Sequence, residues 1–290
     1  MKNKNKPVFF GFAALIICVS ISFFFCVNSP IAAVSNETIS LADRLSSIVD
    51  ENVVIKEDSP EIQKRFLAFK YIPPGKSTAI PYRLYLPDSY GERGAKFPLL
   101  LFLNGLGERG TDNQIQISVN TPFELLVLNE KISRELPCII AAPQCPESPN
   151  YTWSHPAVMS DLVALVDTLT KNLNVDLNRV YVTGLSMGGN GTFEILAQRP
   201  GLFAAGMPIG GGPDSGTQIA VKIKDIPIWV FHAANDRAVP VQKSREIVKA
   251  IESLNGKFIK YTEFITGVHG IWFGIYSDVE KLKWLFDQRK

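Results

Sequence analysis

The chain has 290 residues, of which 46% are hydrophobic and 20% charged, the profile of a globular protein with a sizeable core. Its formal charge of +2 is too small and too evenly spread to mark a nucleic-acid binder. Histidines and cysteines are few and scattered, which gives no metal-ligand spacing, and no glycine-rich dinucleotide or phosphate loop is present. No cofactor is expected.

In chain order, the first feature is a basic start with Lys2, Lys4 and Lys6. An uncharged apolar stretch follows from Val8 to Val27, then small residues up to Ala33. This order describes a secretory signal. The stretch, at about 20 residues, is also long enough to span a bilayer as an uncleaved anchor. Either way the rest of the chain is expected to be exported, and the only membrane contact would be through this segment. Cleavage near Ala33 would remove three lysines and no acid, taking the net charge from +2 to −1. Residues 34–65 read as a weakly patterned N-terminal extension, and 66–290 as one catalytic domain.

From Phe66 the pattern becomes dense. FLAFKYI and YRLYLP alternate as a half-exposed edge hairpin would. PLLLFLNG is an unbroken apolar run, the signature of a strand buried on both faces. TPFELLVLNEKIS fits a helix, and CIIAAP another buried strand. Next comes a strong amphipathic helix, in which Val158, Leu162, Leu165, Val166 and Leu169 share a face. RVYVTG, AAGMPIGG, PIWVFHAA and KYTEFI read as strands, with helical runs after the first, third and fourth. Such alternation predicts an α/β fold with a mostly parallel central sheet flanked by helices. Ligands bind at the carboxyl ends of the strands in these sheets, so functional residues belong just after strand-like runs.

Cys138 and Cys145 fall outside the export segment. Extended chain advances about 3.3 Å per residue, which separates the pair beyond the roughly 7 Å a disulfide tolerates unless the chain folds back at Pro143. Two free thiols are expected.

Gly184-Leu185-Ser186-Met187-Gly188 lies between a buried strand and a helix, the context a G-x-S-x-G nucleophile requires. A serine hydroxyl needs a base, most often histidine, and the chain has three. In this architecture the order is serine, acid, histidine. His155 precedes Ser186, and His232 leaves only Asp214 or Asp225 between itself and the serine. His269, in a glycine-flanked loop after the last strand, is the expected base. Asp236 follows the strand PIWVF and is the expected acid, with Asp214 second. Asp278 reads as a helix cap. The backbone N–H groups of Leu106 and Met187 are the expected oxyanion donors. Trp153 and Trp272 sit where they would either line the substrate pocket or pack in the core.

NGLGERGTDN, APQCPE, GLSMGGNGTFEILAQRP, HAANDRAVP and GVHGIW, in this order, resemble the esterase and "predicted peptidase" branch of the α/β-hydrolases. That branch is related to polyhydroxybutyrate depolymerases and feruloyl or acetylxylan esterases. The resemblance covers residues 66–290. It implies Ser186, Asp236 and His269 as a catalytic triad, Leu106 and Met187 as oxyanion donors, and an ester substrate, polymeric in some members. One departure is Asn104-Gly105, where the family usually has His-Gly. Rival readings are a serine peptidase or acyltransferase on the same triad, or an inactive binding module of the same fold.

Overall fold

A computed structural model describes residues 61–290 apart from 78 and 119. The expected export segment and the extension up to residue 60 lie outside the described residues. Eight strands form one sheet: β1 (Leu67–Tyr71), β2 (Ile80–Tyr85), β3 (Phe97–Leu103), β4 (Ile139–Pro143), β5 (Val175–Leu185), β6 (Ala205–Ile209), β7 (Ile228–Ala233) and β8 (Ile259–Phe264). Their spatial order is β1-β2-β4-β3-β5-β6-β7-β8. The first two pairings, β1 with β2 and β2 with β4, are antiparallel, and all others are parallel.

The apolar run of β3 explains why the sheet is covered on both sides. Leu99, Leu101 and Leu103 face one hydrophobic cluster, while Leu100 and Phe102 face another. Successive side chains of a strand point to opposite faces, so a strand in mid-sheet must be apolar throughout. The first cluster is completed by α1 (Pro156–Asn172), α2 (Met187–Gln198) and α3 (Gln242–Ser253). The second is completed by the segment around Phe123 and by α4 (Trp272–Tyr276) and α5 (Val279–Asp287). In α1, the five residues expected to share a face are all buried. Asp278 caps α5, accepting from the Glu280 amide at 3.0 Å.

Two expectations change. The hairpin is not half-exposed throughout: β1 is the edge, whereas β2 is nearly all buried because it also pairs with β4. TPFELLVLNEKIS is not one helix. A π-helical turn at Glu124–Leu128 ends at Asn129, whose side chain accepts from the Ile132 amide at 3.1 Å and starts a second helix at Glu130–Glu135. Asparagine competes for backbone donors and favours such caps over helix interiors.

Cys138 and Cys145 are free and buried. Burial pushes the Cys145 thiol up to about 12, against a smaller opposing pull from Arg109. No helix among the described residues is long and apolar enough to cross a membrane.

Candidate active site

The centre of the site is the turn from β5 into α2. Ser186 has φ 53° and ψ −117°, a conformation that L-residues seldom adopt and that costs on the order of 1–3 kcal/mol. It is fastened on both sides: its N–H donates to Ile209 O at 2.8 Å, and its carbonyl accepts from Asn190 N–H at 3.0 Å. The flanking glycines allow the turn to sit this low on the sheet. A Cβ on Gly188 would lie 1.9 Å from Leu103 O, and one on Gly184 would lie 2.5 Å from Gly188 O. The serine hydroxyl is thereby raised above the ends of β3 and β6.

His269 arrives from the loop after β8. Gly267 (φ 135°) and Val268 (φ 48°) turn the backbone, and Val268 N–H donates to Asn235 Oδ1 at 3.1 Å. This places His269 Nε2 2.8 Å from Ser186 Oγ and Nδ1 2.6 Å from Asp236 Oδ2. Asp236 lies just beyond β7 with only 1% of its side chain exposed. Its Oδ1 accepts from the amides of Ala238 (2.8 Å) and Val239 (3.0 Å). Burial by itself would push the Asp236 carboxyl up, but hydrogen bonds from His269, Val239 and Ala238 together outweigh it and hold the group below its ordinary value. An ionised carboxylate fixed on Nδ1–H leaves Nε2 free to accept the serine proton.

The other candidates stand elsewhere. Asp214 is engaged by Asn190, Lys243 and Ser154 and makes no bond to His269. Asp225 pairs with Lys224 before β7. His155 caps α1. His232 is fully buried, and its Nε2 lies 3.2 Å from Asp236 Oδ2, on the same oxygen that His269 holds.

Leu106 opens a short 3-10 turn after β3, and Met187 opens α2. The first N–H groups of such turns have no intrahelical acceptor, and the end of α2 carries partial positive charge. Asn104 supports the Leu106 loop: its Oδ1 accepts from Cys145 N–H (3.1 Å) and its Nδ2 donates to Gly105 O (2.7 Å). Arg109 braces the far end through the carbonyls of Ser148 and Tyr151, both at 2.9 Å.

The two tryptophans differ. Trp153 is fully buried and donates to Asn104 O, so it lines no pocket; it lies beneath the loop, against Gly191. Trp272 stands edge-on to the His269 ring at 5.0 Å and is also largely buried. The exposed apolar side chains nearby are Leu106, Val268 and Phe273.

The doubly wound sheet and the strained serine turn define an α/β-hydrolase. Residues 155–217 match the prolyl oligopeptidase family model. A solved thermostable esterase is similar with a TM-score of 0.70 and 37% identity, over 78% of this chain and 64% of that one. A bifunctional acetylxylan esterase/xylanase of Neocallimastix patriciarum is 29% identical over 52% of this chain and 21% of its own length. Poly(3-hydroxyalkanoate) depolymerase C of Paucimonas lemoignei is 47% identical over 17% of this chain and 12% of its own length. This chain therefore spans less than two thirds of each of these proteins. Its fold is that of the α/β-hydrolases, and the proteins it resembles here are named as esterases and a depolymerase.

Proposed function

We propose that this protein is an exported serine carboxylic-ester hydrolase that works through an acyl-enzyme. The observation that carries the reading is the double engagement of His269, 2.8 Å from Ser186 Oγ and 2.6 Å from Asp236 Oδ2. In the proposed cycle Ser186 Oγ attacks the ester carbonyl while His269 Nε2 takes its proton. Asp236 stabilises the resulting imidazolium. The amides of Leu106 and Met187 receive the oxyanion. His269 then protonates the departing alcohol, and in the second half it activates water, which releases the acid and restores Ser186.

The proposed substrate is a polymeric ester, an acylated polysaccharide or a polyester. Two curated relatives are named for such substrates, acetylxylan and poly(3-hydroxyalkanoate). The exposed Leu106, Val268 and Phe273 offer apolar surface beside the oxyanion loop and the base. The basic start and the uncharged segment 8–27 support export. A second reading, a serine peptidase on the same residues, is favoured by the prolyl oligopeptidase match.

The test is hydrolysis of short- and medium-chain p-nitrophenyl esters beside p-nitroanilide amides, with Ser186→Ala as control. Ester turnover that falls by about 10⁴-fold or more in the variant is expected. Turnover of amides alone would favour the peptidase, and turnover unchanged in Ser186→Ala would overturn both.

A further inference from the structure

Two histidines approach the same oxygen of Asp236. His269 reaches its Oδ2 from the loop after β8, and His232 reaches the same oxygen from the end of β7. The surroundings of His232 dictate its proton. Its Nε2 faces two acceptors, Asp236 Oδ2 at 3.2 Å and Val239 O at 3.1 Å, so this nitrogen must carry a hydrogen. Its Nδ1 lies 2.7 Å from Ser244 Oγ of α3. The Ser244 hydroxyl donates its hydrogen to Gly211 O at 2.6 Å, beyond the end of β6.

We propose that His232 is a positioning residue for the triad: an imidazole whose Nε2–H, bonded to Val239 O at 3.1 Å, also faces Asp236 Oδ2 at 3.2 Å, keeping the carboxylate aimed at His269 and sharing its negative charge.

This rests on the ester-hydrolase reading above. The ring is fully buried among β6, β7 and α3, where a second positive charge would be costly. Burial pushes the imidazole toward its neutral form, against smaller opposing pulls from the Val239 carbonyl and Asp236. The other charged group near it is Glu263, its register partner on β8, and that carboxylate is paired with Arg245 of α3. The geometry also gives the arrangement a reason. Two amides hold Oδ1, and His232 adds a second N–H beside that of His269 at Oδ2, which has two lone pairs and can take both, offsetting the carboxylate's charge.

Two substitutions separate the halves of the ring. Asparagine at 232 places a polar atom where Nδ1 stands and leaves Oδ2 without its second donor; glutamine reaches the Nε2 position and can restore it. With a p-nitrophenyl ester, His232→Asn is expected to lower kcat by about tenfold, the worth of one charge-assisted hydrogen bond, with KM little changed. It is also expected to move the acid limb of the kcat/KM profile to higher pH. A carboxylate that shares less charge attracts the His269 proton more strongly. His232→Gln should recover most of both effects. An unmoved acid limb, with equal losses in the two variants that follow their thermal stability, would reduce His232 to packing and overturn the proposal. Nitrogen-15 NMR of the unmutated protein supplies a readout independent of turnover. A His232 ring protonated at Nε2 is expected, and a ring protonated at Nδ1 only would overturn the proposal. Should the protein hydrolyse no ester, the spectrum still decides whether His232 offers Asp236 a donor, so the two failures are distinguishable.

Discussion

Trp153 donates its indole N–H to the backbone carbonyl of Asn104 at 2.9 Å, joining residues 49 positions apart beneath the loop that follows β3. The ring is fully buried and packs against α2 at Gly191, where a Cβ would lie 2.4 Å from Trp153 Cβ. Trp153→Phe keeps most of the volume but leaves the Asn104 carbonyl unpaired. A loss of about 1–3 kcal/mol is expected in urea denaturation, together with a fall in kcat, because the loop bearing the Leu106 amide loses its support. Unchanged stability would show that the bond contributes nothing.

The approach of α2 to β3 makes a sharper prediction. Gly188→Ala would place its Cβ 1.9 Å from Leu103 O, a backbone atom that cannot step aside. The variant is expected to lose more than about 4 kcal/mol and to yield little folded protein by circular dichroism. Gly107→Ala is the control in the loop after β3, since nothing lies within 4 Å of its added methyl. Equal yields of the two variants would refute the close approach.

Asp236 predicts a dependence on acid. Its carboxyl is held below the ordinary value in the folded state, burial being outweighed by its hydrogen bonds. The stabilisation from ionised Asp236 is therefore fully present above the unfolded-state value, about 3.9, and is lost as pH falls through the lower folded value. In Asp236→Asn this part of the acid destabilisation should vanish, so that melting temperature falls less steeply below about pH 4. Near neutral pH the same variant should keep its fold and lose about 10⁴-fold in kcat. A variant with an unaltered acid slope would place Asp236 outside the groups that link folding to pH.

Much of the architecture was legible because its signals are local. An apolar run such as that of β3 is forced by burial on both faces. Ser186 stands in a strand–turn–helix whose glycines are demanded by sub-3 Å backbone approaches, so motif and geometry have one cause. Asn129 was harder to read: its apolar neighbours carried the helical period past it, and only the cap bond shows that the helix breaks there.

His232 marks the limit of such reading. Standing four residues before Asp236, it is too early in the chain to serve as the base of this architecture, and the sequence offers no direct reason to give it another role. Proximity along the chain is what carries it to the Asp236 carboxylate, because the chain turns just beyond β7, with Asp236 N–H donating to Ala233 O at 3.2 Å. Trp153 posed the same difficulty, since periodicity does not say whether an aromatic after a strand faces a pocket or the underside of a loop.

By itself, then, the amino-acid sequence determined the order of the strands and of the long helices and the serine turn, and it named a candidate histidine and aspartate. These follow from burial, periodicity and chain order, each readable within a short window. Only the tertiary structure decided which side chains meet at Asp236, that Trp153 lies under the loop after β3, and that Asn104 fastens that loop to Cys145. Those contacts join residues brought together by the parallel stacking of strands distant in the chain, and no local pattern encodes a hydrogen bond between groups that only the completed sheet makes neighbours.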